Sequence, residues 1–412
     1  MSVLYGNAVV GQSGGPTAAI NATLAGVIRG AIEAHEAGVI KTLYGMKNGI
    51  EGFLKEDFVD LFGVFDTEEK IHTLECTPSA ALGSCRRKLK DHIKDADTFA
   101  EILRIFKKYD IRYFFYIGGN DSMDTVLKLS NYAADHDYEV RVVGVPKTID
   151  NDLMATDHTP GFGSAAKFVA TTMKEIRRDV SVYSIDAVTI VEVMGRDAGW
   201  LTASAALPSL TGDGPDLVYL PEKTFDPDRF LADVRKCLEK HPAVLVAASE
   251  GIRFADGRYV GEGTDSRKVD AFGHTALSGT GKVLEELVKN NIGCKVRSIE
   301  LSLPQRCAAH IASLTDLEES VRVGMGGVRA AISGATGVMM TFVRSEADTY
   351  SVEIGTADIS TIANEIRRVP DEYITADANG ITAAGLDYLA PLIIGEPSIE
   401  YEYGMPKHFV ID

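Results

Sequence analysis

Three times along this chain a short run of β-branched or aromatic residues stops at a glycine turn and a helical pattern begins. Asn7 to Val10 leads into Gly11-Gln12-Ser13-Gly14-Gly15, and Tyr113 to Ile117 leads into Gly118-Gly119. Ala187 to Val193 leads into Met194-Gly195-Arg196-Asp197-Ala198-Gly199. From about Thr17, residues Ile20, Leu24, Val27, Ile28 and Ile32 recur on one helical face. Further strands are expected at Val140 to Val145, Leu217 to Leu220, Ala243 to Ala248 and Lys295 to Ile299, with helices between. Repeated strand–turn–helix units fold into mainly parallel sheets with helices on both faces, so the class is α/β. In such folds ligands bind at the loops that follow the C-terminal ends of strands.

At 412 residues and 45% hydrophobic content, the chain can bury two or three domains. Its net charge of −17 argues against nucleic acid or an anionic membrane as partner, since both need basic surfaces. It does not argue against a phosphorylated small molecule, which a few local cations can hold. No apolar run approaches the ~20 residues needed to span a bilayer. The N-terminus shows no basic region followed by an apolar one, so no signal peptide is expected. Cys76, Cys85, Cys237, Cys294 and Cys307 are scattered without zinc-site spacing, which fits free thiols in a reducing cytoplasm. Thr211 to Gly214 and Ala255 to Asp265 read as surface loops.

Two strand-end loops carry the chemistry. Gly118-Gly119-Asn120-Asp121-Ser122 lets backbone N–H groups approach a phosphate. Pro146-Lys147-Thr148-Ile149-Asp150-Asn151-Asp152 brings two carboxylates and a lysine, which suits proton abstraction with charge neutralisation. Together they point to phosphoryl transfer onto a hydroxyl. A basic run, Arg86-Arg87-Lys88 with Lys90, follows the turn Leu82-Gly83-Ser84 rather than lying on a helix face. The P-loop motif is missing, as is a dinucleotide fingerprint after the first strand, which makes an oxidoreductase a weak alternative.

As a set, Ser13-Gly14-Gly15, Gly83-Ser84-Cys85-Arg86, Gly118 to Ser122, Thr148 to Asp152, Met194-Gly195-Arg196, Glu250 and Pro304-Gln305-Arg306 resemble the phosphofructokinase family in order and spacing. The resemblance runs from about residue 9 to about residue 310. It implies two unequal Rossmann-like α/β domains with the active site in the cleft between them. Residues 1–160 plus about 305–385 would form the phosphoryl-donor domain, and 161–304 plus about 386–412 the sugar-phosphate domain. By the same resemblance Asp150 is the base that takes the proton from the sugar 1-hydroxyl, and Asp152 orients the site or helps to hold magnesium. Arg86, Lys147 and Thr148 would act beside it on the moving phosphoryl group. Gly15 and Gly119 would admit the donor. Thr148, Met194, Gly195, Arg196, Glu250, Arg297 and Arg306 would bind the sugar phosphate. Asn120 and Asp121 would hold Mg2+.

The donor is decided at two positions. ATP-using members carry glycine where this chain has Asp121 and Lys147, leaving room for a nucleotide's α-phosphate and ribose. Here a carboxylate would repel that phosphate, and the lysine would serve a short donor ending at two phosphates. The pairing resembles the pyrophosphate-dependent branch. It implies reversible conversion of fructose 6-phosphate and pyrophosphate to fructose 1,6-bisphosphate and phosphate, in glycolysis and gluconeogenesis. The alternatives are an ATP-dependent enzyme, a non-catalytic relative, or a pyrophosphate enzyme that also takes sedoheptulose 7-phosphate. The chain departs from the usual pattern at Asn120 (an acidic residue elsewhere), Ala187 (an arginine) and Leu303 (a histidine or tyrosine). A cytoplasmic homodimer or homotetramer is expected, with a neighbouring chain supplying Arg297. The last hundred residues read as helices and edge elements, with Glu365, Arg367 and Arg368 exposed.

Overall fold

The computed structural model describes residues 3–262, 279–347, 349–362 and 365–411. In chain order the strands are β1 (Gly6–Gln12), β2 (Ile40–Met46), β3 (Phe58–Asp60), β4 (Ile111–Gly118), β5 (Arg141–Pro146), β6 (Ala187–Val193), β7 (Leu217–Tyr219), β8 (Ala243–Ser249), β9 (Lys295–Glu300), β10 (Val338–Arg344) and β11 (Val352–Asp358). They form two larger sheets. One has seven strands in the order β11-β10-β5-β4-β1-β2-β3, and the other four in the order β7-β8-β6-β9. Pairing is parallel throughout the second sheet. In the first, only the outer pairs β2–β3 and β10–β11 are antiparallel. The α/β class with mostly parallel sheets is therefore the one expected.

Each central strand reads as an unbroken apolar run because both of its faces are covered. Ala8, Val10, Phe115, Ile117, Val143 and Val145 pack in a core on one face of the large sheet. Val9, Phe114, Tyr116 and Val142, one residue out of phase, pack in the core on the other. The small sheet divides in the same way, with Val191, Val193, Leu245 and Ala247 opposite Val188, Ile190, Val244 and Val246.

β1 lies between β4 and β2, so successive crossovers leave it in opposite directions. The loops after β1, β4 and β5 consequently open one crevice, as the switch-point rule requires. The first helix runs Ile20–Glu36, starting later than about Thr17. Gly11 and Gln12 continue the strand, and the Thr17 hydroxyl instead accepts the N–H of Ala19 at 3.2 Å. Asp213, expected in a surface loop, is buried and paired with Arg178 at 2.7 Å. Residues 263–265 of the other expected loop lie outside the described residues.

The C-terminal part is woven into both halves. β10 sits inside the large sheet between β5 and β11, rather than at an edge. Val369, Ile374, Tyr388, Leu389 and Leu392 join the core of the small sheet, whereas Phe409 and Ile411 return to that of the large one. Arg367, expected to be exposed, is half-buried.

Candidate active site

Between the two halves lies a cleft of about 530 Å³. From the large-sheet side it is lined by Gly15, Arg86, Gly119, Asn120, Asp121, Lys147, Thr148, Asp150 and Asp152. Met194, Arg196, Glu250 and Arg306 complete it from the other. A second open cavity, of about 490 Å³, lies among Arg322, Met325, Met340 and Ile354, and no carboxylate among the described residues lines it.

At the donor end the loop after β1 turns at Gly14, whose φ of +78° favours glycine. The turn is pinned by Ser84, whose hydroxyl donates to the Gly14 carbonyl at 2.6 Å. A Cβ on Gly15 would come within 3.0 Å of the Arg306 guanidinium, and one on Gly118 within 1.9 Å of the Ser122 hydroxyl. Helix Asn120–Asp135 starts immediately after Gly119, so its unpaired N–H groups and positive dipole end meet the cleft. Lys147 is buried and donates to the Gly15 carbonyl at 2.6 Å. Burial pulls its pKa down to about 8; Arg306 and Arg86 push the same way, and Asp150 and Asp152 oppose them. Asp121 takes Lys88 at 2.8 Å, which raises the lysine's pKa.

The base-bearing loop follows β5. The Asp150 N–H donates to the Thr148 hydroxyl at 3.1 Å, and Thr159 donates to the Thr148 carbonyl at 2.8 Å. Asn151 then takes a left-handed turn, φ +54°, so that Asp150 and Asp152 both line the cleft. Burial raises the pKa of Asp150, with Lys147 the main offset. Burial and then the Asp150 charge raise Asp152 to about 7. On the opposite wall, Glu250 accepts the Gly195 N–H at 3.3 Å, and burial lifts it to about 7. Gln305 accepts the Met194 N–H at 3.2 Å, anchoring the loop after β6 to the short helix that carries Arg306. The cleft thus sets carboxylates whose affinity for protons is raised against a cluster of lysine and arginine. That is an acid–base centre built around a polyanion.

The residues present fit a divalent ion shared with phosphates. Asn120 Oδ1 is buried without a hydrogen-bond partner, and the Asp121 carboxylate stands next in the chain. Among the described residues no group of three or more His, Cys, Asp or Glu could hold a metal unaided. An ion there would draw most of its ligands from substrate oxygens and water, as magnesium does.

Two of the expected residues lie elsewhere. Gly195 acts through its backbone on Glu250. Arg297 is exposed on β9, the outermost strand, in a shallow recess with Tyr183, Ile185 and Lys295. The cleft also contains Lys88, Asp197 and Ile366, which sequence reasoning did not assign. The basic run around Arg86 pointed toward Lys88, and Asp197 directly follows Met194-Gly195-Arg196. Nothing in the sequence signals Ile366.

This fold, with a cleft combining a glycine-rich phosphate loop and a lysine–carboxylate loop, defines a phosphoryl-transfer enzyme. Residues 7–330 match the family model described as phosphofructokinase, and the chain belongs to that family. It is 42% identical over 408 residues to a protein of Methylococcus capsulatus named pyrophosphate–fructose 6-phosphate 1-phosphotransferase, covering 98% of this chain and 96% of the relative. A protein of the same name from Halomonas elongata is 39% identical, with 97% and 95% covered. Among solved structures, a pyrophosphate-dependent phosphofructokinase from Nitrosospira multiformis superposes with a TM-score of 0.88 at 38% identity, with 98% and 96% covered.

Proposed function

We propose that the chain transfers a phosphoryl group reversibly from pyrophosphate to the 1-hydroxyl of fructose 6-phosphate, giving fructose 1,6-bisphosphate and phosphate. The observation that carries this reading is that Asp121 and Lys147 both line the cleft that holds Asp150. Relatives that span nearly the whole chain at about 40% identity bear the corresponding name.

Asp150 takes the hydroxyl proton as the new bond to phosphorus forms, a task its raised pKa favours. Lys147 and Arg86 offset the charge on the moving phosphoryl group, and Thr148 fixes the loop that carries the base. Gly15 and Gly119 let the backbone reach pyrophosphate. Met194, Arg196 and Glu250 hold the sugar, with Gly195 steadying Glu250 through its N–H, and Arg306 holds the sugar's phosphate. Asp152 keeps Asp150 oriented. The family's reaction takes a divalent metal; here magnesium, held through Asn120 and Asp121, would neutralise pyrophosphate charge. Arg297 comes from a neighbouring chain of a homodimer or homotetramer. Five cysteines, all free, fit a cytoplasmic enzyme, and no described helix is long and apolar enough to cross a membrane.

The test is steady-state turnover with fructose 6-phosphate and magnesium, comparing pyrophosphate with ATP, for wild type and for Asp121→Gly with Lys147→Gly. Turnover on pyrophosphate alone, weakened in the double variant, is expected. Wild-type preference for ATP would overturn the donor assignment.

A further inference from the structure

The stretch 365–369 has no motif, yet every other residue in it is anchored to a different segment, two of them lining the cleft. The Glu365 carbonyl accepts the Asn120 side-chain amide at 3.0 Å, at the donor end. The Arg367 N–H donates to the Asp152 carbonyl at 2.8 Å, on the base-bearing loop. The Arg367 carbonyl accepts the indole N–H of Trp200 at 3.1 Å, from the small-sheet half. Val369 N–H donates to Glu222 at 3.0 Å, and the same carboxylate oxygen takes the Gly199 N–H at 2.8 Å. Between these anchors Ile366 lines the cleft itself.

The Arg367 side chain reinforces the second anchor. Its guanidinium lies 4.3 Å from the centre of the Trp200 ring and donates to the Tyr388 hydroxyl at 3.2 Å, with a longer contact of 3.4 Å to the Asn151 carbonyl. The buried Tyr388 hydroxyl also accepts the Asn151 side-chain amide at 3.2 Å and donates to the Asp157 carbonyl at 2.7 Å. Asn151 is the residue that needs holding. It sits between Asp150 and Asp152 with φ +54°, and its own Oδ1 is buried without a partner. A left-handed non-glycine residue costs energy and persists only where its surroundings over-determine it.

We propose that Arg367 is a positioning residue for the reaction: with Tyr388 it fixes the left-handed turn at Asn151 and thereby aims Asp150, while the 365–369 strap ties that loop to the donor end through Asn120. This rests on the reading of Asp150 as the base. Misplacing a reacting group by about an ångström costs on the order of 100-fold in rate, so such a residue acts on turnover more than on binding.

The experiment compares wild type, Arg367→Ala, Arg367→Lys and Tyr388→Phe in steady state, with each chain's thermal midpoint measured alongside. Arg367→Ala is expected to lower kcat about 10- to 100-fold with KM for both substrates within about threefold. Millimolar guanidinium should restore part of that kcat, whereas Arg367→Lys should not, because an ammonium can neither stack flat nor fork. Tyr388→Phe should cost kcat about three- to tenfold at unchanged KM, the loss of one hydroxyl's contacts. Unchanged kcat overturns the proposal, as does a loss seen only in KM or only in the thermal midpoint and insensitive to guanidinium. If Arg367→Ala does not fold, Tyr388→Phe decides the matter. All values are ratios to wild type on whichever donor wild type uses, so failure of the pyrophosphate assignment would register separately.

Discussion

At the scale of single residues, Lys147 joins specificity to pH. Burial holds its pKa at about 8, while burial raises Asp150 above the usual carboxylate range. The base works only when ionised, so activity should rise as pH climbs through the pKa of Asp150. The lysine serves a polyanion only when protonated, so activity should fall as pH passes about 8. The expected kcat/KM profile is a bell with its alkaline limb near that value. Lys147→Arg keeps the cation charged far above it and should flatten that limb. Comparing the two profiles with the same donor cancels the ionisation of pyrophosphate itself. A limb that persists unchanged in the variant would remove Lys147 as its source. The residue types at this site were legible because the chemistry restricts them: a base, a cation and bare glycine backbone. Their partners were not legible. Lys88 against Asp121 and Arg367 behind Asp152 meet only through the fold, and no local pattern encodes such pairs.

At the scale of elements, the strand–turn–helix units were readable from hydrophobic runs that end at glycine. The placement of the C-terminal elements was not. Helix Leu314–Ile332 packs along helix Ile20–Glu36 and brings β10 to lie beside β5. The contact is a close approach of backbones. A Cβ on Gly26 would stand 2.1 Å from the Val321 carbonyl oxygen, and one on Gly324 would stand 2.3 Å from that of Thr23. Neither glycine needs a positive φ, so in the sequence each looks like an indifferent residue inside a helix. The sequence carries this packing as an absence of side chain, which periodicity counts cannot weigh. Gly26→Ala should therefore destabilise the fold by about 1–3 kcal/mol, because backbone cannot yield as a flexible side chain can. A lowered denaturation midpoint with KM unchanged in the folded fraction is the expected result. An unchanged midpoint would mean that the helices separate at little cost.

At the scale of the whole molecule, the strongest constraint is that one chain leaves Arg297 outside its own cleft. The residue is exposed on the outer strand of the small sheet, amid Tyr183 and Ile185, which are more than half exposed. If a symmetric neighbour brings it to the sugar phosphate, two variants dead for different reasons should repair each other. Asp150→Ser removes the base but keeps Arg297, whereas Arg297→Ala keeps the base. In a mixed dimer, the site carrying Asp150 would receive Arg297 from its neighbour and be complete, and the reciprocal site would lack both. With two-fold symmetry and random exchange of equal amounts, half the dimers are mixed and each holds one intact site. Activity should then recover to about a quarter of the wild-type level. Mixing without exchange should recover none. No recovery after exchange would mean that Arg297 serves no neighbouring site, and the 6-phosphate would then rest on Arg306 and Arg196 within one chain. Such an outcome would tie specificity to the cleft alone, which neither Ala187 nor Leu303 lines.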